Sequence, residues 1–238
     1  MSNKINKVAV LGTGVMGGQI AAHLTNANYE VYAFDMDQET ADKGMKATSE
    51  IKPAAYYNKK SADKVTVMNY NDHLEKISEC DWVVEAISER IDWKKDLYAK
   101  ITPHLSDSTI LTSNTSGIAL SELSEDMDEA LKNRFFITHF FNPPRYMKLV
   151  ELIYPDSVDK DALSTIEKIL EDDLGKGVVH AKDTPNFIAN RIGVFGMMHV
   201  LSVASEMKLS VEDIDFFTGT LIGRPKSGTF RTADIVGL

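Results

Sequence analysis

The sequence predicts an α/β fold: a mostly parallel sheet with helices on both faces, followed by a partial all-helical domain. Three observations carry this. Short continuous apolar runs alternate with amphipathic segments through the first half of the 238 residues, the mark of strands buried on both faces. The first run ends in a glycine cluster that opens a helix. After Asp183-Thr-Pro-Asn186 the strand-like runs stop and long, weakly polar segments take over.

The elements follow in order. Residues 7–12 form the first strand (Val8, Ala9, Val10, Leu11), residues 19–25 a helix with Ile20, Ala21 and Leu24 inward, and residues 30–35 a second strand. Residues 81–86 and 109–112 read as further strands, with a helix over 93–104 that puts Leu97 and Ile101 on one face. Residues 135–141, 148–153 and 177–181 add strands, and 161–174 a helix. Thr184 suits an N-cap and Pro185 a first helical position, so a long helix is expected from about 185 to 207. The predicted division is 1–183 and 184–238, with 210–223 helical. Some fifty residues are too few to bury a core of their own, so the second part is expected to pack on the first, on a partner, or on residues beyond this chain.

Composition narrows the function. Net charge is −9, which argues against sequence-independent nucleic-acid binding. The longest apolar stretch, 192–207, is broken by His199, Ser202, Ser205 and Glu206, so no membrane span is expected. The first residues lack the apolar core of a secretory signal. The single cysteine, Cys80, fits a reducing compartment, and a cytoplasmic location is the simple expectation. No paired cysteines or clustered histidines suggest a metal site.

Gly12-Thr-Gly14-Val-Met-Gly17 fits G-x-G-x-x-G in the one context that gives the pattern meaning, after a strand and at a helix start. It predicts a Rossmann-type domain. Gly12 makes the turn, Gly14 lets backbone approach a pyrophosphate, and Gly17 lets the helix pack on the strand. Asp35 ends the second strand 23 residues after Gly12, where a carboxylate accepts both ribose hydroxyls. A 2′-phosphate ~4 Å away would cost about 4 kcal/mol, and Met36 and Asp37 follow rather than an arginine. NAD is therefore expected rather than NADP.

His139 ends an apolar strand in Thr138-His-Phe-Phe-Asn-Pro-Pro144, and Glu151 interrupts the apolar run Lys148-Leu-Val-Glu-Leu-Ile153. A buried carboxylate is costly unless paired. An imidazole would satisfy it and be held in one tautomer, giving a general base and its orienter.

These segments resemble the L-3-hydroxyacyl-CoA dehydrogenases of fatty-acid β-oxidation. The resemblance rests on Gly12–Gly17, Val83-Val-Glu-Ala-Ile87 with Glu89, Ser113-Asn-Thr-Ser116, His139-Phe-Phe-Asn-Pro143, Met147-Lys-Leu-Val-Glu151 and Lys182-Asp-Thr-Pro-Asn-Phe-Ile-Ala-Asn-Arg191. They run through nearly the whole chain in the family's order. The spelling His139-Phe-Phe-Asn-Pro-Pro-Arg-Tyr146 looks like large microbial members in which an enoyl-CoA hydratase follows.

The resemblance implies His139 as base, Glu151 as its partner, and Ser116 and Asn190 as contacts to the reacting oxygen. It implies Val15, Met16, Ala86, Glu89, Lys94, Asn114 and Asn142 around the cofactor, beside Gly12, Gly14, Gly17 and Asp35. It also implies an acyl-CoA substrate, a homodimer in the full-length protein, and a helical domain that continues past Leu238, of which 184–238 would be the truncated start. Trp93 reads as packing.

Two departures stand out. The 35–65 segment is shorter than the family's helical hairpin, yet residues 42–64 hold six lysines (Lys43, Lys46, Lys52, Lys59, Lys60, Lys64) against three acids, a candidate contact for CoA phosphates. Asn186 stands where many members have glycine. Rival readings are a hydroxy-acid dehydrogenase that does not use CoA, and a non-catalytic NAD-binding relative or scaffold.

Overall fold

The structure, a computed structural model, describes residues 4–224 and 226–236. It forms two compact units, Met1–Phe187 and Ile188–Leu238.

In the first unit an eight-stranded sheet runs in the order β3-β2-β1-β4-β5-β6-β7-β8. The strands are β1 (Lys7–Leu11), β2 (Glu30–Asp35), β3 (Val65–Asn69), β4 (Trp82–Glu85), β5 (Ile110–Ser113), β6 (Phe135–Phe140), β7 (Leu149–Ile153) and β8 (Gly177–Ala181). Every neighbouring pair is parallel except β6 with β7. The helices are α1 (Val15–Asn26), α2 (Gln38–Glu50), α3 (Ile91–Ile101), the single turns α4 (Leu120–Leu123) and α5 (Glu129–Lys132), and α6 (Lys160–Lys168).

Alternating strand residues feed two cores, because successive side chains point to opposite faces. Val8, Val10, Val31, Val84 and Phe136 pack with Ile20, Leu24 and Ile166 on one face. Ala9, Leu11, Phe34, Val83 and Ile137 pack with Leu97, Ile101 and Leu131 on the other. Burial on both faces is why these strands read as continuous apolar runs.

β3 does not stand out in the sequence. Only Met68 and Asn69 of its five residues are buried, so this edge strand lacks the apolar run of its neighbours. The helix expected over 161–174 is α6 followed by a wider π turn, Ile169–Asp173.

The second unit holds α7 (Ala189–Met207), α8 (Val211–Thr218) and α9 (Phe230–Val236). Ser210 and Asp213 form a reciprocal cap on α8, as Ser followed three residues later by a carboxylate predicts. Ile192, Phe195, Met198 and Met207 on α7 are exposed.

The long helix begins at Ala189, four residues later than its cap signal suggests. Thr184, expected as its cap, turns its hydroxyl to the Lys182 carbonyl oxygen at 3.4 Å, while Asp183 caps α4, accepting from the N–H groups of Leu120 (2.8 Å) and Ser121 (3.0 Å). Asn186 and Phe187 then take left-handed backbone angles, φ 62° and 48°. Asn tolerates that region, as the glycine expected there would. For Phe187 it costs about 1–2 kcal/mol, offset by burying a ring worth roughly 1.5–3 kcal/mol.

Candidate active site

The glycine loop is shaped by close contact. Gly12 has φ 98°, and a Cβ there would lie 2.8 Å from the Ala86 carbonyl oxygen. A Cβ on Gly17 would lie 1.9 Å from the Gly12 carbonyl oxygen. A Cβ on Gly14 would meet nothing within 4 Å, so its backbone is open to a ligand. Gly14 caps α1 with no side-chain hydrogen bond, and the first turn carries no acid. The N–H groups of that turn are therefore suited to a pyrophosphate. Val15 is exposed there, while Met16 packs on the core.

The loop sits where β1 pairs with β2 on one side and β4 on the other, the switch point at which open α/β sheets bind ligands. A cleft of about 490 Å³ opens there, lined by Gly12, Gly14, Asp35, Tyr70, Ala86 and Ile87 among others. Asp35 Oδ2 accepts from the Thr13 N–H and hydroxyl, both at 2.7 Å. Its Oδ1 accepts from the Met36 N–H at 2.8 Å. The carboxylate is thus aimed from the second strand across the glycine loop. An open backbone cradle, a helix start and a fixed ribose-side carboxylate fit a dinucleotide.

His139 and Glu151 face each other across the antiparallel β6–β7 pair. Residues directly opposite in such a pair share a face. His139 Nδ1 lies 2.7 Å from Glu151 Oε2, and both residues are buried. The imidazole is flanked by the rings of Phe141 at 4.5 Å and Phe187 at 5.6 Å. With Nδ1 engaged, Nε2 is the nitrogen left for proton exchange.

Nearby loops are tied to this strand. Asn114 Oδ1 accepts from the Phe140 N–H at 2.9 Å. Gln19 on α1 donates to Asn142 Oδ1 at 3.1 Å, tying the loop after β6 to the helix that follows the glycine loop. Asn190 belongs to the second unit, in the first turn of α7.

Ser116 is exposed on a loop gathered by Glu89. Glu89 Oε1 accepts from the Thr115 hydroxyl (2.5 Å) and the N–H groups of Ser116 (2.8 Å) and Gly117 (3.0 Å). Burial opposes ionisation of Glu89, but the Thr115 hydrogen bond, the Lys94 charge and the backbone donors outweigh it. They hold its pKa below the usual carboxylate value.

Lys94 lies beneath the cleft rather than along it. Its buried Nζ is 2.6 Å from Glu85 Oε1 and 3.5 Å from Glu89 Oε2. Glu85 also accepts from the Ile87 N–H (2.8 Å), Tyr98 hydroxyl (2.6 Å) and Ser113 hydroxyl (2.7 Å). The sequence reading overlooked Glu85 as a centre. The signal was present: a carboxylate ending an apolar strand needs a partner, the argument that found Glu151. Trp93, expected to pack inward, is 45% exposed and lines the cleft. Of the lysines in 42–64, Lys43 lines a second cleft of about 420 Å³ with Thr13, Gly14 and Val15.

A family profile described as "3-hydroxyacyl-CoA dehydrogenase, NAD binding domain" matches residues 7–184. The chain belongs to the 3-hydroxyacyl-CoA dehydrogenase family. It is 42% identical to a "Probable 3-hydroxyacyl-CoA dehydrogenase" of Bacillus subtilis, across the whole chain and 33% of that protein. It is 40% identical to a protein of the same description from Deinococcus radiodurans, across 99% of the chain and 70% of that protein. The chain thus spans about a third of the Bacillus relative. Among solved structures, (S)-3-hydroxybutyryl-CoA dehydrogenase from Ralstonia eutropha superposes with a TM-score of 0.83 at 27% identity. That match covers 98% of this chain and 83% of the other. The cofactor of this domain is NAD. Among the described residues no helix is long and apolar enough to cross a membrane.

Proposed function

We propose that this chain oxidises the 3-hydroxyl of an L-3-hydroxyacyl-CoA to the 3-oxoacyl-CoA, as a step of fatty-acid β-oxidation, and runs in reverse with NADH. The observation that carries the reading is the 2.7 Å contact of His139 Nδ1 with Glu151 Oε2, on the sheet that holds the dinucleotide cleft. His139 Nε2 takes the hydroxyl proton. Glu151 keeps the ring in one tautomer and steadies the imidazolium that forms. Ser116 holds the reacting oxygen, and Glu89 fixes the Ser116 loop. Bound NAD supplies the hydride acceptor. Asp35 selects it over NADP. A cytoplasmic setting and a homodimeric full-length protein complete the proposal.

The deciding experiment is consumption of NADH with acetoacetyl-CoA, beside NADPH and beside His139→Gln. Turnover that requires NADH and vanishes in the variant supports the reaction, cofactor and base together. NADH binding without turnover, even in a longer chain, would instead favour a non-catalytic relative. Turnover on the free acid but not the thioester would exclude CoA. The lysine segment bears on the same question. Lys43→Glu with Lys46→Glu is expected to raise the acyl-CoA KM about threefold to fivefold at low salt, and less at high salt.

A further inference from the structure

Part of the cofactor cleft is explained neither by the glycine loop nor by Asp35. Beyond Asp35 its walls are Met36, Thr40, Ile87, Trp93, Asp96 and Leu97. Met36 is 58% and Trp93 45% exposed. An indole left open to water in a cleft is uncommon for packing and common for recognition. The other tryptophan, Trp82, shows the contrast. It is fully buried and donates its indole N–H to the Thr112 hydroxyl at 2.9 Å.

Trp93 is also held in orientation. The Arg90 guanidinium covers its ring at 4.6 Å and is itself paired with Asp92 at 2.6 Å. Along α3, Trp93, Asp96 and Leu97 follow at i, i+3 and i+4, so they form one stripe toward the cleft. Lys94, next in sequence, turns to Glu85 instead.

We propose that Trp93 is the stacking wall for the adenine ring of the cofactor, with Met36 at the cleft's other exposed apolar edge. This rests on reading the cleft as the dinucleotide site. With the pyrophosphate at the start of α1 and the adenosine ribose on Asp35, the part of the ligand that remains on this side is a flat purine. A flat π surface held by Arg90 recognises a purine by stacking, without reading its edge.

The test is titration of the chain with AMP, nicotinamide mononucleotide and NADH, read by calorimetry and by tryptophan emission. AMP is expected to change the emission of the unmodified chain. Trp93→Ala should weaken AMP and NADH by about tenfold and leave the mononucleotide unchanged. Trp93→Phe keeps an aromatic face, so it should bind AMP within about threefold while losing the emission response. AMP and NADH affinities unchanged in Trp93→Ala would overturn the assignment and leave the cleft reading intact. Failure of both ligands to bind the unmodified chain would overturn the cleft reading and this assignment together.

Discussion

Two fully buried carboxylates on the same sheet satisfy their charge in different ways. Glu85, at the end of β4, gathers the Lys94 ammonium, two hydroxyls and a backbone N–H. Glu151, inside β7, meets the His139 imidazole. The buried Lys94 ammonium reaches both Glu85 Oε1 at 2.6 Å and Glu89 Oε2 at 3.5 Å, so the first pair is a brace under the cleft wall. The imidazole meets Glu151 through Nδ1 and has a second ring nitrogen, Nε2, the atom proposed above to exchange the proton. Burial establishes that each carboxylate needs a partner. The partner's chemistry establishes whether the pair can do acid–base work.

His139→Gln should break this comparison most visibly. It should lower kcat by about 10³- to 10⁴-fold while NADH affinity, followed by fluorescence titration, stays within about twofold. Near-normal turnover would mean that the His139 pair is a brace as well.

Lys94→Met tests the other side. It leaves Glu85 without its cation and should cost about 3–5 kcal/mol in urea unfolding. Adding Glu85→Gln should recover part of that loss, since the stranded charge is gone. Equal stability of the single and double variants would show that the ammonium is not what holds Glu85.

His23 sharpens the contrast as a buried imidazole without a carboxylate. Burial, with the Lys176 and Arg145 charges, pushes its pKa down to about 4. The unfolded chain therefore protonates first as pH falls. Stability should be unaffected above about pH 6.5, drop between there and about 4, and level off below, a total of about 3 kcal/mol. His23→Leu should flatten that interval in denaturant titrations across pH, and an unchanged slope would reject the assignment.

The smallest effect expected is from Glu151→Gln. It keeps the shape and removes the charge, so kcat should fall about 10²-fold with little change in melting temperature. A larger loss of stability than of rate would place Glu151 with Glu85 rather than with a working base.

How much of this was legible follows from the range of each signal. The glycine loop and Asp35 were readable because turn geometry and strand ends are local. Glu151 stood out because a charge within an apolar run is conspicuous in one dimension. Glu85 lay inside the strand expected over 81–86 but was taken only as part of Val83-Val-Glu-Ala-Ile87, and its partners Lys94, Tyr98 and Ser113 come from other elements. The placements of Lys94 and Trp93 were not legible: the charged residue is buried and the aromatic one lines the cleft. Their orientation on α3 depends on what lies under the helix, which residue type alone does not reveal.

The alternating apolar runs, the glycine spacing and the acid at the second strand's end were enough to specify a parallel sheet with a dinucleotide loop. Each is a short-range property, set by backbone sterics and the period of burial. The tertiary structure decided the rest: the β6–β7 register that sets His139 against Glu151, the brace beneath the Ser116 loop, and the late start of α7. These depend on segments far apart in the chain. Thr184 turns back to Lys182 rather than capping α7, and Phe187 accepts a costly backbone angle for burial beside His139. A local preference worth about 1 kcal/mol gives way when distant packing offers more.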